Sequence, residues 1–272
     1  MSVSQTGALT SSFREVPAEA RTRPLQQWWA LTARGVSKVF RNGEFVFAFV
    51  SPVFLAVCFY LPLSSVMNSF GVDYGQFLMP IIVLQSVGFA ASSAAMRASF
   101  DDTEGINTRF RVLPMPAAVP MGARLATNVT LLVVSLICAT VACSAIGWRP
   151  MGGVVGTVGL YAVAFTVGVL IALLADGIGL VAGSPEATSQ AMMLPTLILG
   201  MMSTGFVPVS QFPEWIQPFV RNQPISQFVN VMRATDYGAL SWDILQPTVW
   251  WCVGLFVTAV FLLAMGSRKV RS

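Results

Sequence analysis

The residues able to do chemistry are few, and most gather in one stretch. Between Arg97 and Arg124 lie Asp101, Asp102, Glu104, Arg109 and Arg111, the most charged segment of the chain. Charged groups set beside apolar ones suit a transient protein interface, where a solvated loop is the plainer alternative. No histidine occurs, so Ser–His and Cys–His nucleophile pairs and the commonest metal ligand are absent. Cys58, Cys138, Cys143 and Cys252 all fall inside apolar runs, at no spacing that suits zinc. No G-x-x-x-x-G-K-[ST] occurs, which removes that route to a nucleotide phosphate. The expectation is a non-enzyme with no catalytic residue, metal or cofactor of its own. Asp176 and Glu186 flank Gly177, Gly179, Gly183 and Pro185, a pattern that reads as a turn with both acids at its wet edges. Gln85 is the polar group expected within a span. The sequon Asn128-Val129-Thr130 lies in an apolar run and is discarded.

The surrounding elements explain this scarcity. The chain is 55% hydrophobic and 10% charged, where an ordinary soluble domain is about a quarter charged. Six charge-free runs are long enough to cross a bilayer, which takes roughly 20 apolar residues for about 30 Å of hydrocarbon. They place spans near 45–65, 76–97, 122–146, 154–175, 190–207 and 248–266. Backbone in lipid must satisfy itself, so the spans are helices. Pro52 and Pro195 are expected to kink theirs. The fold class is an all-α integral membrane protein.

Residues 1–23 are polar and mixed, a cytosolic tail without a signal-peptide core. Residues 24–43 alternate with a helical period. Leu25, Trp28, Trp29, Val36, Val39 and Phe40 share one face, and Arg34, Lys38 and Arg41 the other, as an interfacial helix would. With six spans, thirteen of the sixteen basic residues share one side, leaving Arg149, Arg221 and Arg233 opposite. The positive-inside rule then puts both termini in the cytosol of a multi-pass inner-membrane protein. The net charge of +4 reflects this topology and calls for no nucleic acid.

Residues 191–237 break the helical pattern. Ser203, Thr204 and Gly205 interrupt an apolar helix, and Pro208, Pro213, Pro218 and Pro224 punctuate the residues after it. Such a stretch suits short re-entrant or interfacial helices on the outer face. The series Ser203-x-Gly205-Phe206-x-Pro208, then Phe212-Pro213-x-Trp215-Ile216, then Pro224, Phe228 and Arg233 resembles the C-terminal signature of ABC-2 type permeases. The loop adds a second likeness, in Glu104, Gly105, Arg109, Phe110, Pro114 and Met115. It departs from the family pattern at Ile106, where Thr is usual, and at Phe110, where Leu is usual.

The resemblance extends over roughly residues 30–270 and is strongest to the daunorubicin-resistance permeases, among them mycobacterial permeases that export the wax phthiocerol dimycocerosate. It implies the six-span fold of that exporter class over residues 44–272, with 24–43 as a connecting helix beside an ATPase. ATP and magnesium would bind that separate ATPase. Asp102, Glu104, Gly105, Arg109, Phe110 and Pro114 would form the coupling segment that docks on it. A second six-helix permease, usually a sister chain, would complete the pathway, and a homodimer is the alternative. The cargo reads as a cell-envelope lipid. The alternatives are an amphipathic drug moved by the same machine, and a stand-alone secondary carrier. Gln85 and Phe89 of the second span and Leu194, Leu197, Ile198, Met201 and Met202 of the fifth are expected to line the route.

Overall fold

The computed structural model describes residues 24–106, 116 and 118–269. Among them every regular element is helical. Helix α1 runs Pro24–Arg41, α2 Glu44–Ser69, α3 Tyr74–Thr103, α4 Ala118–Ala145 and α5 Gly153–Val181. Then come α6 Pro185–Met201, a 3-10 turn at Val209–Gln211, α7 Gln217–Asn222, α8 Pro224–Asp236 and α9 Trp242–Lys269. Five of these helices are long and apolar enough to cross a membrane: α2, α3, α4, α5 and α9.

Helix α3 is the axis of the bundle, packing against α2, α4, α5, α6 and α8. Its first half buries Leu78, Met79, Ile81, Ile82 and Val83. Its second half offers Gly88, Ala91, Ala94, Ala95 and Ala98, small residues that let neighbouring helices come close. Asp73 caps its start by accepting a bond from the Gln76 amide at 3.3 Å. Helix α2 is peripheral and leaves Phe49, Phe54 and Leu61 exposed along an apolar flank.

Two expectations change here. The fourth span does not stop at 175, because α5 continues to Val181 with Asp176 buried inside it. Gly177 and Gly179 form no turn. A side chain at Gly177 would strike Leu262 of α9, and one at Gly179 would strike the Ala95 carbonyl of α3. These glycines serve close helix packing, which sequence alone does not separate from a turn. The fifth segment is also shorter than 190–207 suggests. Ser184 caps α6 by accepting from the Ala187 amide at 3.2 Å, with Pro185 in the first turn. Its 17 residues cover about 25 Å at 1.5 Å each, so α6 alone falls short of a full crossing. Residues 203–206 continue as buried irregular backbone, which membrane depth tolerates only when protein covers it.

Candidate functional site

Two polar clusters lie at opposite ends of α3. The first sits where α3 ends and α4 begins. Arg97 pairs with Glu44 at the start of α2, and its Nη2 donates to Asn128 Oδ1 at 2.8 Å. Asn128 Nδ2 donates to Asp176 Oδ2 at 2.9 Å. Arg124 Nη2 lies 3.6 Å from Asp176 Oδ1, and Lys38 Nζ 3.9 Å from Asp101 Oδ1. The cluster thus ties together α1, α2, α3, α4 and α5. Neither Asn128 nor Asp176 faces water, since both are buried. Each carries the other's hydrogen-bonding need across a helix contact, the usual way a membrane helix keeps a polar group.

Helix α1 joins this cluster in an unexpected orientation. Thr32 and Val39 are buried, and Gly35 lies directly on Thr127 of α4. Arg34 and Lys38, expected to face away from the bundle, line a cavity of about 110 Å³ with Arg97, Asp101, Arg124 and Asp176. Leu25, Trp29 and Phe40 are the exposed apolar groups, and Arg41 is exposed too. Trp28 is half-buried beside Gly122 of α4. The inner face therefore combines apolar Val39 with small or polar Thr32 and Gly35, where α4 presents Gly122 and Thr127 to it.

The second cluster holds the stretch after α6 in place. Asp236, at the end of α8, accepts from Gln76 Nε2 at 2.5 Å and from Trp148 Nε1 at 3.1 Å. Arg233 has carbonyls as acceptors: Phe77 at 2.8 Å, Thr204 at 2.9 Å and Gly205 at 3.0 Å. Its guanidinium also stacks 3.5 Å above the Phe77 ring, a cation–π contact. Gly205 lies so close to Ile81 that an added Cβ would sit 2.5 Å from that side chain. Phe206 is buried, stacked on Phe59 with centroids 3.9 Å apart, and its carbonyl accepts from Tyr74 at 3.1 Å.

At the other end of this stretch, Trp251 Nε1 donates to the Asn222 carbonyl at 3.2 Å, and Gln223 Nε2 to the Leu199 carbonyl at 3.1 Å. Trp251 lies nine residues beyond Trp242, about 13 Å along α9. The junction of α7 and α8 is thus well below the level where α9 begins.

The ABC-2 type transporter family model matches residues 26–237. The chain belongs to the ABC-2 type transporter family. As an ABC-2 permease it is a membrane component of a transporter. It is 36% identical to the doxorubicin resistance ABC transporter permease protein DrrB of Mycobacterium tuberculosis (strain H37Rv), over 95% of this chain and 94% of that one. Identity is 28% to the daunorubicin resistance ABC transporter permease protein DrrB1 of Streptomyces coeruleorubidus, over 70% of this chain and 66% of that one. It is 24% to the probable doxorubicin resistance ABC transporter permease protein DrrC of Mycobacterium tuberculosis (strain H37Rv), over 82% and 80%. These names specify drug resistance, and none specifies a lipid.

Within this ABC-2 permease the anticipated residues fall into distinct places. Gly205, Phe206 and Arg233 meet at the N-terminal end of α3, whereas Trp215 is 81% exposed and Pro213 is also exposed. Phe212 is half-buried, Pro208 precedes the 3-10 turn and Pro224 opens α8. Leu194, Leu197, Ile198 and Met201 are each about half exposed and form one apolar flank of α6, with Met202 half-buried at its end. Phe89 is partly exposed. Gln85 does not join that flank, being buried against Gly200 on the inner side of α6. The described residues instead place an apolar groove of about 470 Å³ between α5 and α9, past Thr166, Leu170, Thr248 and Phe256.

The charged segment is also redrawn. Arg97, Asp101 and Asp102 belong to α3 and Arg124 to α4, so the connecting loop is shorter than 97–124. Glu104 caps α3 and Gly105 follows with φ 67°, a backbone conformation that favours glycine. Arg109, Phe110 and Pro114 lie outside the described residues. Sequence reasoning missed the Glu44–Arg97–Asn128–Asp176–Arg124 network. Its signal was present, as single polar residues in the apolar runs of α4 and α5.

Proposed function

We propose that the chain is the permease subunit of an ATP-driven exporter of amphipathic drugs of the doxorubicin and daunorubicin type. The observation that carries this reading is the 36% identity to DrrB over nearly the full length of both chains. A separate ABC ATPase binds ATP and magnesium and drives the cycle. It engages α1 and the segment around Glu104 from the cytosol. The chain lies in the inner membrane with both termini cytosolic. Segment α6 with residues 203–206 makes the sixth crossing, and α7–α8 is a re-entrant hairpin opening outward. The depth of the α7–α8 junction against α9 supports that hairpin.

A second permease, a sister chain or another copy, covers the apolar flank of α6. Leu194, Leu197, Ile198 and Met201 then border the route, with Phe89 and Met202 at its edge. Export of a long-chain lipid is the second reading, favoured by the apolar run of Leu194, Leu197, Ile198 and Met201 along this flank.

The deciding experiment co-expresses the chain with its ATPase and measures ATP-dependent uptake of doxorubicin into inside-out vesicles. Uptake that vanishes with a hydrolysis-dead ATPase is the expected result. Depletion of an envelope lipid on deletion, without drug uptake, selects the lipid reading. Failure to retain any ATPase in mild detergent removes both. A cysteine at exposed Ser210, in a cysteine-free background, should react with an impermeant thiol reagent outside intact cells, and one at exposed Ser37 should not. The reverse pattern overturns the orientation.

A further inference from the structure

The cavity between α1, α3, α4 and α5 is lined by charged groups. Among the described residues four cations line it, Arg34, Lys38, Arg97 and Arg124, with two carboxylates, Asp101 and Asp176. Glu44 reaches Arg97 from α2. Arg97 is thus matched by Glu44, Arg124 by Asp176 and Lys38 by Asp101. Arg34 is exposed and has no ion pair among the described residues. Arg124 Nη2 is buried and lacks a hydrogen-bond partner among the described residues. Arg34 is thus a cation without an ion pair among the described residues, and Arg124 Nη2 a buried donor without a hydrogen bond, both at the same cavity.

Size and depth narrow what fits. A cavity of about 110 Å³ is smaller than the roughly 300–1,000 Å³ of a drug-sized site, but it has room for a phosphate group. The lining also includes apolar Leu31, Ala94, Ile106, Pro120 and Ala123. Arg97 and Asp101 lie near the end of α3 and Arg124 near the start of α4, the level at which spanning helices meet headgroups. Basic pockets between membrane helices at this level suit anionic lipid headgroups.

We propose that this cavity binds the phosphodiester of an anionic phospholipid from the leaflet on the α1 side. Arg34 supplies the opposing charge, Arg124 Nη2 donates to a phosphate oxygen, and Leu31 and Ile106 border the glycerol. A phosphodiester carries a single negative charge, which would pair with the Arg34 guanidinium. A zwitterionic lipid adds an ammonium that the site does not need. The lipid would tie α1 to α4 and α5 as a fixed structural ligand, separate from any exported cargo. The inference requires the chain to sit in a bilayer, and it depends neither on the cargo nor on which leaflet faces α1.

The test purifies the chain with its ATPase in mild detergent containing equal phosphatidylglycerol and phosphatidylcholine. Retained lipid is then counted by native mass spectrometry. Phosphatidylglycerol should predominate. Arg34→Gln should lower its excess roughly fivefold, the worth of one basic group near an anionic surface, and Arg34→Glu further. Arg34→Lys should keep most of the excess. Arg149→Gln, at the other end of the bundle, should leave it unchanged. Equal retention of both lipids by the natural sequence overturns the proposal, as does an unchanged excess in monodisperse Arg34→Gln and Arg34→Glu. Displacement of phosphatidylglycerol by inorganic phosphate would identify a free-anion site and overturn the lipid assignment.

Discussion

Asn128 donates to Asp176 across the contact between α4 and α5, at 2.9 Å, with both side chains buried. Arg124 completes the arrangement from one turn earlier on α4, and Arg97 reaches Asn128 from α3. Asp176→Ala removes the acceptor and strands both partners. Breaking a buried ion pair in this way costs about 3–5 kcal/mol. The variant should lose much of its thermal stability in detergent, whereas Asp176→Asn should lose less because it can still hydrogen-bond Asn128. Equal melting of the two variants would show that the ionised carboxylate has no part in holding α4 to α5.

Gly205 and Gly254 make a matched pair. An added Cβ at Gly205 meets Ile81 at 2.5 Å, and at Gly254 it meets nothing within 4 Å. Gly205→Ala should destabilise by about 1–3 kcal/mol, the usual cost of overpacking. Gly254→Ala should be neutral or raise stability by up to about 1 kcal/mol through helix propensity. Melting curves that rank them in the opposite order would contradict the close approach of the turn at 203–206 to α3.

Arg233 satisfies the carbonyls of Phe77, Thr204 and Gly205 with one planar fork. Lysine presents a point charge and cannot reproduce that fork. Each buried carbonyl left without a donor costs about 1–3 kcal/mol. Arg233→Lys should therefore insert normally but loosen the segment between α6 and α8, seen as faster limited proteolysis between 206 and 223. Proteolysis at the natural rate would show that the other contacts suffice.

Leu197 on α6 and Val257 on α9 are both about half exposed in the single chain. A central Arg costs about 2.5–3.5 kcal/mol on insertion scales at either place. If α6 borders the route, Leu197→Arg should abolish export, while Val257→Arg lets its side chain snorkel to the surface and keeps activity. Equal export at matched expression and assembly would remove α6 from the route.

Glu104 caps α3 on the exposed surface, outside the spanning part. Glu104→Ala should leave expression and insertion intact and lower transport-linked ATP hydrolysis several-fold. Unchanged hydrolysis would withdraw this segment from the ATPase contact.

Much of this protein is decided by its linear sequence. Long charge-free runs must become helices in lipid, because no water is there to satisfy an open backbone. The signature from Ser203 to Arg233 was legible for a similar local reason, since prolines and glycines restrict or free the backbone wherever they stand. Tertiary structure decided what depends on faces and neighbours. Gly177 and Gly179 resemble a turn in sequence, and only Leu262 and Ala95 packed against them show that they serve helix contact. Asp176 looked wet until Asn128 and Arg124 from another helix supplied its partners. Amphipathic α1 gave its period away, but the side it buries was set by Gly122 and Thr127 of α4, far along the chain. Whether a polar residue is a site, a staple or a solvated edge depends on which groups share its few ångströms of low-dielectric space, and that is fixed only when the helices meet.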